Sequence, residues 1–282
     1  MMTIPSQSAD RGARTIDGIR LHFVVGGVEY LRCPHCWISA MRGAPLSRAG
    51  LTLPDPLGAE AKRLAKGAAV EIRLGYRDEA PAVWTGTVEW ARPGTVDQIE
   101  VGAAGGEKAL STARITQAWQ SESPDRIVRH AIEAAGLTVG RIDAPAGVTL
   151  PRFVASNISP RDVIEQVEHS CRRAYGQDMA GWRLWVDGSG KVNWGDFEDE
   201  TGQVFVAATG GNLITHSPAT DALGQGVVQT FLAPAVWPGQ TFTLQDARRG
   251  TNQSLRVLAV RHDIQGTAAR TWITYGAEHA RY

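Results

Sequence analysis

Val70, Ile72, Leu74 and Tyr76 alternate with Glu71, Arg73 and Gly75. That period of two sends one row of side chains to a core and the other to water, the signature of a half-buried β-strand. The run Trp84-Thr85-Gly86-Thr87-Val88-Glu89-Trp90 repeats the period shortly afterwards. Shorter runs of the same kind, Ile19–Val25, Val28–Leu31, Gln98–Ala103 and Thr112–Trp119, are separated by turn residues. Ala44–Gly67 contains Pro45, Pro54, Pro56 and Gly58 and reads as a long loop that ends in a short helical stretch, Ala59–Lys66. Residues 1–15 are polar and aperiodic, which predicts a flexible N-terminal arm with order beginning near Ile16.

The middle of the chain changes period. Ser123-Pro124-Asp125 and Ser159-Pro160-Arg161-Asp162 both read as helix starts: Ser accepts from orphan amides, Pro fits the first turn, and Asp complements the positive helix end. Ile127, Ala131, Ile132 and Ala135 then recur at helical spacing before Gly136, and Val163, Val167 and Cys171 before Gly176. A hairpin follows, Trp182–Val186 and Lys191–Trp194, joined through Asp187-Gly188-Ser189-Gly190. Strands return at Val204–Ala207, Val227–Leu232, Thr241–Leu244, Leu255–Ile264 and Arg270–Tyr275. The expected fold is therefore mainly β with an α+β insertion. The expected divisions are a β segment at 16–122, a small α+β unit at 123–201 and a second β segment at 202–282, an order that suggests one β-barrel-like layer interrupted by an inserted unit, or two similar β domains flanking it.

The 282 residues carry 29 Lys+Arg against 29 Asp+Glu, with no basic block. That balance excludes a protein whose main work is gripping nucleic-acid backbone, which needs clustered cations, and it is compatible with a neutral channel past which a polyanion slides. At 43% hydrophobic and 21% charged the chain has the composition of a globular protein. Met1 to Arg14 has no apolar segment of a signal peptide, and nowhere do about 18 apolar residues run together. The expectation is synthesis in the cytoplasm and no membrane anchor.

Cys33-Pro34-His35-Cys36 is the most conspicuous chemical motif. Three readings stay open: packed thiols in a turn, a redox dithiol, or part of a zinc or iron–sulfur site, with Cys171 or His35 as further ligands. The metal reading lacks a second CxxC, and the redox reading lacks a βαβ setting. No other cofactor is expected. Glu165 and His169 lie four apart on a helix, as a surface pair does. Adjacent strand residues such as His262 and Asp263 point to opposite faces. His216-Ser217 has no Gly-x-Ser-x-Gly elbow around it. Gly188-Ser189-Gly190-Lys191 ends in Val192 where a phosphate loop needs Ser or Thr. The acidic run Asp196, Glu198, Asp199, Glu200 reads as a solvated junction rather than a calcium site. No catalytic residue is assigned. Of the nine tryptophans, Trp185 stands opposite the Trp182/Leu184 face and is a candidate for exposure to a partner.

The order of these segments resembles the phage baseplate hub or tail hub proteins, related to the late control protein D group. The resemblance is carried by Gly67–Gly75 with Val83–Trp90, by Trp119–Gly136, by Ser159–Tyr175 with Trp182–Trp194, and by Trp237-Pro238-Gly239-Gln240 with Val257–Asp263. It spans about residues 16–279, and Cys33-Pro34-His35-Cys36 departs from it. The resemblance implies a non-enzymatic virion structural protein of the tail baseplate, made in the bacterial host cytoplasm. It implies two tube-like β-barrel domains per chain, at 16–122 and 202–282, flanking the small α+β domain, and a homotrimer with pseudo-sixfold symmetry, a symmetry adaptor between the hexameric tail tube or distal tail proteins and a trimeric central spike or fibre protein. The tape measure protein is a further implied partner. Genome DNA would pass the lumen at ejection without specific binding. The alternatives are a cell-wall glycan hydrolase and a carbohydrate-binding tail module.

Overall fold

The computed structural model describes residues 18–77, 79–197, 205–219, 224–266 and 268–276. The expected arm over 1–15, the start of order at Ile16 and the acidic residues Glu198, Asp199 and Glu200 lie outside these. The first β segment comprises β1 (Ile19–Val25), β2 (Val28–Tyr30), β3 (His35–Met41), β4 (Ala44–Pro54), the short helix α1 (Glu60–Arg63), β5 (Ala69–Tyr76), β6 (Ala82–Pro93) and β7 (Gln98–Gly105). The middle comprises α2 (Ala109–Thr112), β8 (Ile115–Glu122), α3 (Pro124–Ala134), β9 (Val139–Ile142), β10 (Leu150–Ile158), α4 (Pro160–Tyr175), β11 (Arg183–Val186) and β12 (Val192–Gly195). The last segment contains β13 (Phe205–Ala208), β14 (Leu213–Ser217), β15 (Gln225–Phe231), β16 (Thr241–Asp246), β17 (Thr251–Arg256), β18 (Ala259–Gln265) and β19 (Ala268–Gly276). Among the described residues no helix is long and apolar enough to cross a membrane.

The described residues form two compact units, one of residues 18–40, 48–105 and 205–276, the other of 41–47 and 106–197. In the first, eleven strands make one sheet in the order β14-β15-β19-β18-β3-β4-β7-β6-β5-β1-β2. The alternation that opened the chain is realised here: Val70, Ile72 and Leu74 are buried with Phe23, Val25, Ile38, Leu51, Leu53, Ile99 and Val101. A smaller sheet, β13-β16-β17, adds Phe242 and Leu244 to a second cluster with Val260, Ile273 and Tyr275. The barrel expectation is corrected at this point. Strand order is linear and no sheet among the described residues closes, because β18 of the last segment pairs with β3 of the first.

Three local expectations are also corrected. Ala44–Pro54 is an eleven-residue strand, not loop. Its sequence has one β-branched residue, Thr52, and prolines near both ends, so propensity hides it, while pairing of Arg48–Pro54 with Gln98–Ala104 makes it a strand. The run Leu255–Ile264 is two strands. Val257 and Leu258 are both buried, which ends the alternation; Val257 donates to the Gln240 carbonyl beside β16, and Leu258 to that of Thr274 in β19. The chain changes sheets between them. The third is Thr112–Trp119: its strand begins at Ile115, after α2.

In the second unit, Ile127, Val128, Ala131 and Ile132 of α3 and Val163, Ile164, Val167 and Cys171 of α4 share one core with Leu184, Val192 and Trp194. Burying each such aliphatic side chain is worth roughly 1.5–3 kcal/mol. Ser159 heads α4 with a reciprocal cap: its Oγ accepts from the Asp162 amide (3.1 Å), and Asp162 accepts from the Ser159 amide (3.2 Å). Gly176 ends the helix at φ 63°, a left-handed conformation that costs a glycine little. The Ser123 side chain makes no capping bond, although Pro124 still starts α3. Trp185 is fully buried against Phe197, with the Arg42 guanidinium 4.6 Å over its ring. The expectation of an exposed Trp185 fails because both faces of the β11–β12 hairpin are covered, so alternation does not separate core from solvent.

Candidate functional site

The CxxC motif spans the entry to β3 rather than lying wholly in a turn. Cys33 is half-buried and Cys36, the second residue of the strand, is buried among Ile38, Leu51 and their neighbours. The chain folds back between them: the Cys33 thiol donates to the His35 carbonyl (3.0 Å), and the Gly266 amide donates to the Pro34 carbonyl (3.1 Å). The contact with the Cys33 thiol, then burial, and then the charges of Cys33 and Asp263, hold the Cys36 thiol well above its ordinary range. The ring of His35 donates to Asp263 Oδ1 (3.3 Å), while Asp263 Oδ2 accepts from Arg261 (2.8 Å). Cys171 belongs to the other unit, inside α4, where burial pushes its thiol up to about 11. Among the described residues no group of three or more His, Cys, Asp or Glu side chains is gathered as a metal site.

The second feature is the outward face of the large sheet. Gly50 of β4 and Gly102 of β7 stand directly opposite each other. A Cβ on Gly50 would come within 2.3 Å of Trp37, and one on Gly102 within 2.3 Å of Trp90, so each indole lies over bare backbone. Arg261 covers the Trp37 ring and Arg92 the Trp90 ring, each guanidinium carbon 4.8 Å from the ring centroid. Each arginine is also held by a carboxylate, Asp263 or Glu100. Trp90 reaches this face through a bulge: Val88 pairs with Ala103, but Trp90 pairs with Gly102, leaving Glu89 as the extra residue. In a regular strand without the bulge Trp90 would share the core face of Val88; instead it is 46% exposed. Isolated glycines inside strand patterns were the available signal for this surface, and alternation alone misplaces Trp90. Trp and Arg are the side chains that protein interfaces favour. β2 and β14 terminate the sheet, with Val28 and Ile214 exposed, so among the described strands each has one unpaired edge.

The remaining polar candidates have structural roles. His216 donates through Nδ1 to Asp246 (2.7 Å), and Tyr275 donates to its Nε2 (2.6 Å); all three are buried. The His216 hydrogen bond, helped by Arg249, holds the Asp246 carboxyl down at about 2 against the effect of burial. This network fastens β14 to β16 and β19 rather than opening onto a substrate. Glu165 accepts from Arg161 (3.0 Å). Asp187 Oδ1 accepts from Ser189 (2.8 Å) and Lys191 (3.0 Å) amides, which makes Gly188–Lys191 a hairpin turn and not a phosphate loop.

The fold is similar to that of solved phage tail proteins. In particular, the chain is similar to the 43 kDa tail protein of prophage MuSo2 from Shewanella oneidensis (TM-score 0.63, 12% identity, 90% of this chain and 95% of that one). It is similar to the tail protein from Neisseria meningitidis (TM-score 0.64, 10% identity, 93% and 97%). It is also similar to an Escherichia coli component of the type VI secretion system that resembles the T4 bacteriophage tail proteins gp27 and gp5 (TM-score 0.61, 9% identity, 92% and 78%). No protein family and no curated protein matches the sequence.

Proposed function

We propose that this chain is a structural hub of a phage or phage-like tail baseplate. The observation that carries the reading is likeness of fold over nine-tenths or more of this chain and of two separate tail proteins. A local motif does not produce that; it requires both β segments and the insertion in the same order. In this reading the protein is a homotrimer whose two tube-like β domains per chain make a pseudo-sixfold ring. The ring joins the hexameric tail tube to a trimeric spike or fibre protein, meets the tape measure protein, and leaves a lumen for DNA. Its work is assembly without turnover, and its place is the virion tail. The edges of β2 and β14 that are unpaired among the described strands, and the Trp37–Trp90 surface, support it, since edges that invite aggregation in a monomer serve as joints in a ring. The test is light scattering and electron microscopy of the purified protein, alone and with its neighbouring tail proteins. Rings are expected, and monomers under every condition would overturn the reading.

A further inference from the structure

The hub reading leaves Cys33 and Cys36 without a role. Their surroundings are specific: a rigid Pro34 between them, a backbone bond from Gly266 to Pro34 and one from the Cys33 thiol to the His35 carbonyl that pin the turn, and two thiols three residues apart, one half-buried and one enclosed. A metal reading lacks a third ligand among the described residues, and both carboxylate oxygens of the neighbouring Asp263 are already engaged by His35 and Arg261. We propose that Cys33 and Cys36 form an oxidisable dithiol that a small-molecule disulfide converts to an intramolecular disulfide.

The step balances with oxidised glutathione as oxidant. Cys33, as thiolate, attacks one glutathione sulfur, giving a mixed disulfide and one glutathione thiolate. Cys36 then loses its proton and attacks the Cys33 sulfur, closing the protein disulfide and releasing the second glutathione. The protein gives up two electrons and its two thiol protons, and one glutathione disulfide becomes two glutathione thiols. Closure by Cys36 is the slow half, because Cys33, burial and the Asp263 carboxylate disfavour its thiolate; Asp263 is itself paired with His35 and Arg261. The rate therefore rises with pH. A tail protein made in a reducing cytoplasm and released by lysis would keep the thiols until release, a consequence that rests on the proposed function, whereas the chemistry does not.

The test is peptide mapping by mass spectrometry of the full-length protein after oxidised glutathione and alkylation. The expected result is a disulfide between Cys33 and Cys36 of one chain, with Cys171 still alkylatable only after unfolding. Cys36→Ser should stop at a glutathione adduct on Cys33, and Cys33→Ser should leave Cys36 unreacted. A lasting Cys33 adduct in the wild type, bonds between chains, or reaction of Cys171 at a similar rate would overturn the proposal. Should the Cys36 variant fail to fold, alkylation of the native wild type decides: Cys33 must react well before Cys36. Ring formation is scored separately by microscopy, so the two readings fail independently.

Discussion

Protonation of His262 is the perturbation whose size can be worked most directly. The side chain lies inside β18, stacked on Trp237 with ring centroids 6.2 Å apart. His262 Nδ1 is hydrogen-bonded to the Thr271 hydroxyl (3.0 Å), which accepts from the Ala233 amide (2.9 Å). Burial pushes its pKa down to about 4 from an ordinary 6.5, the Val236 backbone opposing the drop. Between those values the unfolded chain binds a proton that the folded chain does not. Stability is therefore full above about pH 6.5, falls as pH drops toward 4, and flattens below it, for a total of about 3 kcal/mol. Urea unfolding of wild type and His262→Gln between about pH 7.5 and about pH 4.5 measures this as a difference in slope. The wild type should lose stability more steeply by up to about 1.4 kcal/mol per pH unit, whatever the variant costs at neutral pH. Parallel pH profiles would refute the argument. So would an NMR titration of the His262 ring in the folded protein with a midpoint near its ordinary value.

Two further perturbations test the packing. Gly102→Val should force the Trp90 indole off the sheet and destabilise the protein by roughly 1–3 kcal/mol, with stronger acrylamide quenching of tryptophan fluorescence; unchanged stability and quenching would mean that the indole does not rest on that backbone. Ser159→Ala removes the reciprocal cap of α4 and should cost about 1 kcal/mol in urea unfolding, while Ser123→Ala, whose side chain caps nothing, should cost less.

What the chain determines locally is set by backbone chemistry and short-range period. Val70–Tyr76 alternates because a strand has two faces, and it pairs with β1 and β6 as its pattern requires. Pro124 and Pro160 open the helices because their fixed φ suits a first turn, Ser159 satisfies an orphan amide, and the terminators Gly136 and Gly176, with φ 73° and 63°, accept left-handed backbone. The hairpin at Asp187–Lys191 follows from turn residues alone. Tertiary structure decided everything that depends on what stands opposite. Ala44–Pro54 has little strand propensity and is a strand because β7 offers it a ladder. Trp90 faces outward because one extra residue, Glu89, shifts its register against Gly102. Trp185 is buried because Arg42 and Phe197 cover the face that alternation leaves open. Cys33 and Cys36 flank a pinned turn at the entry to β3 while Cys171 stays inside α4, since sequence spacing sets reach but not the fold of the intervening backbone. Period and capping are properties of one segment and can be read from it; register, bulges and coverage are properties of pairs, and the partner is chosen only when the chain folds.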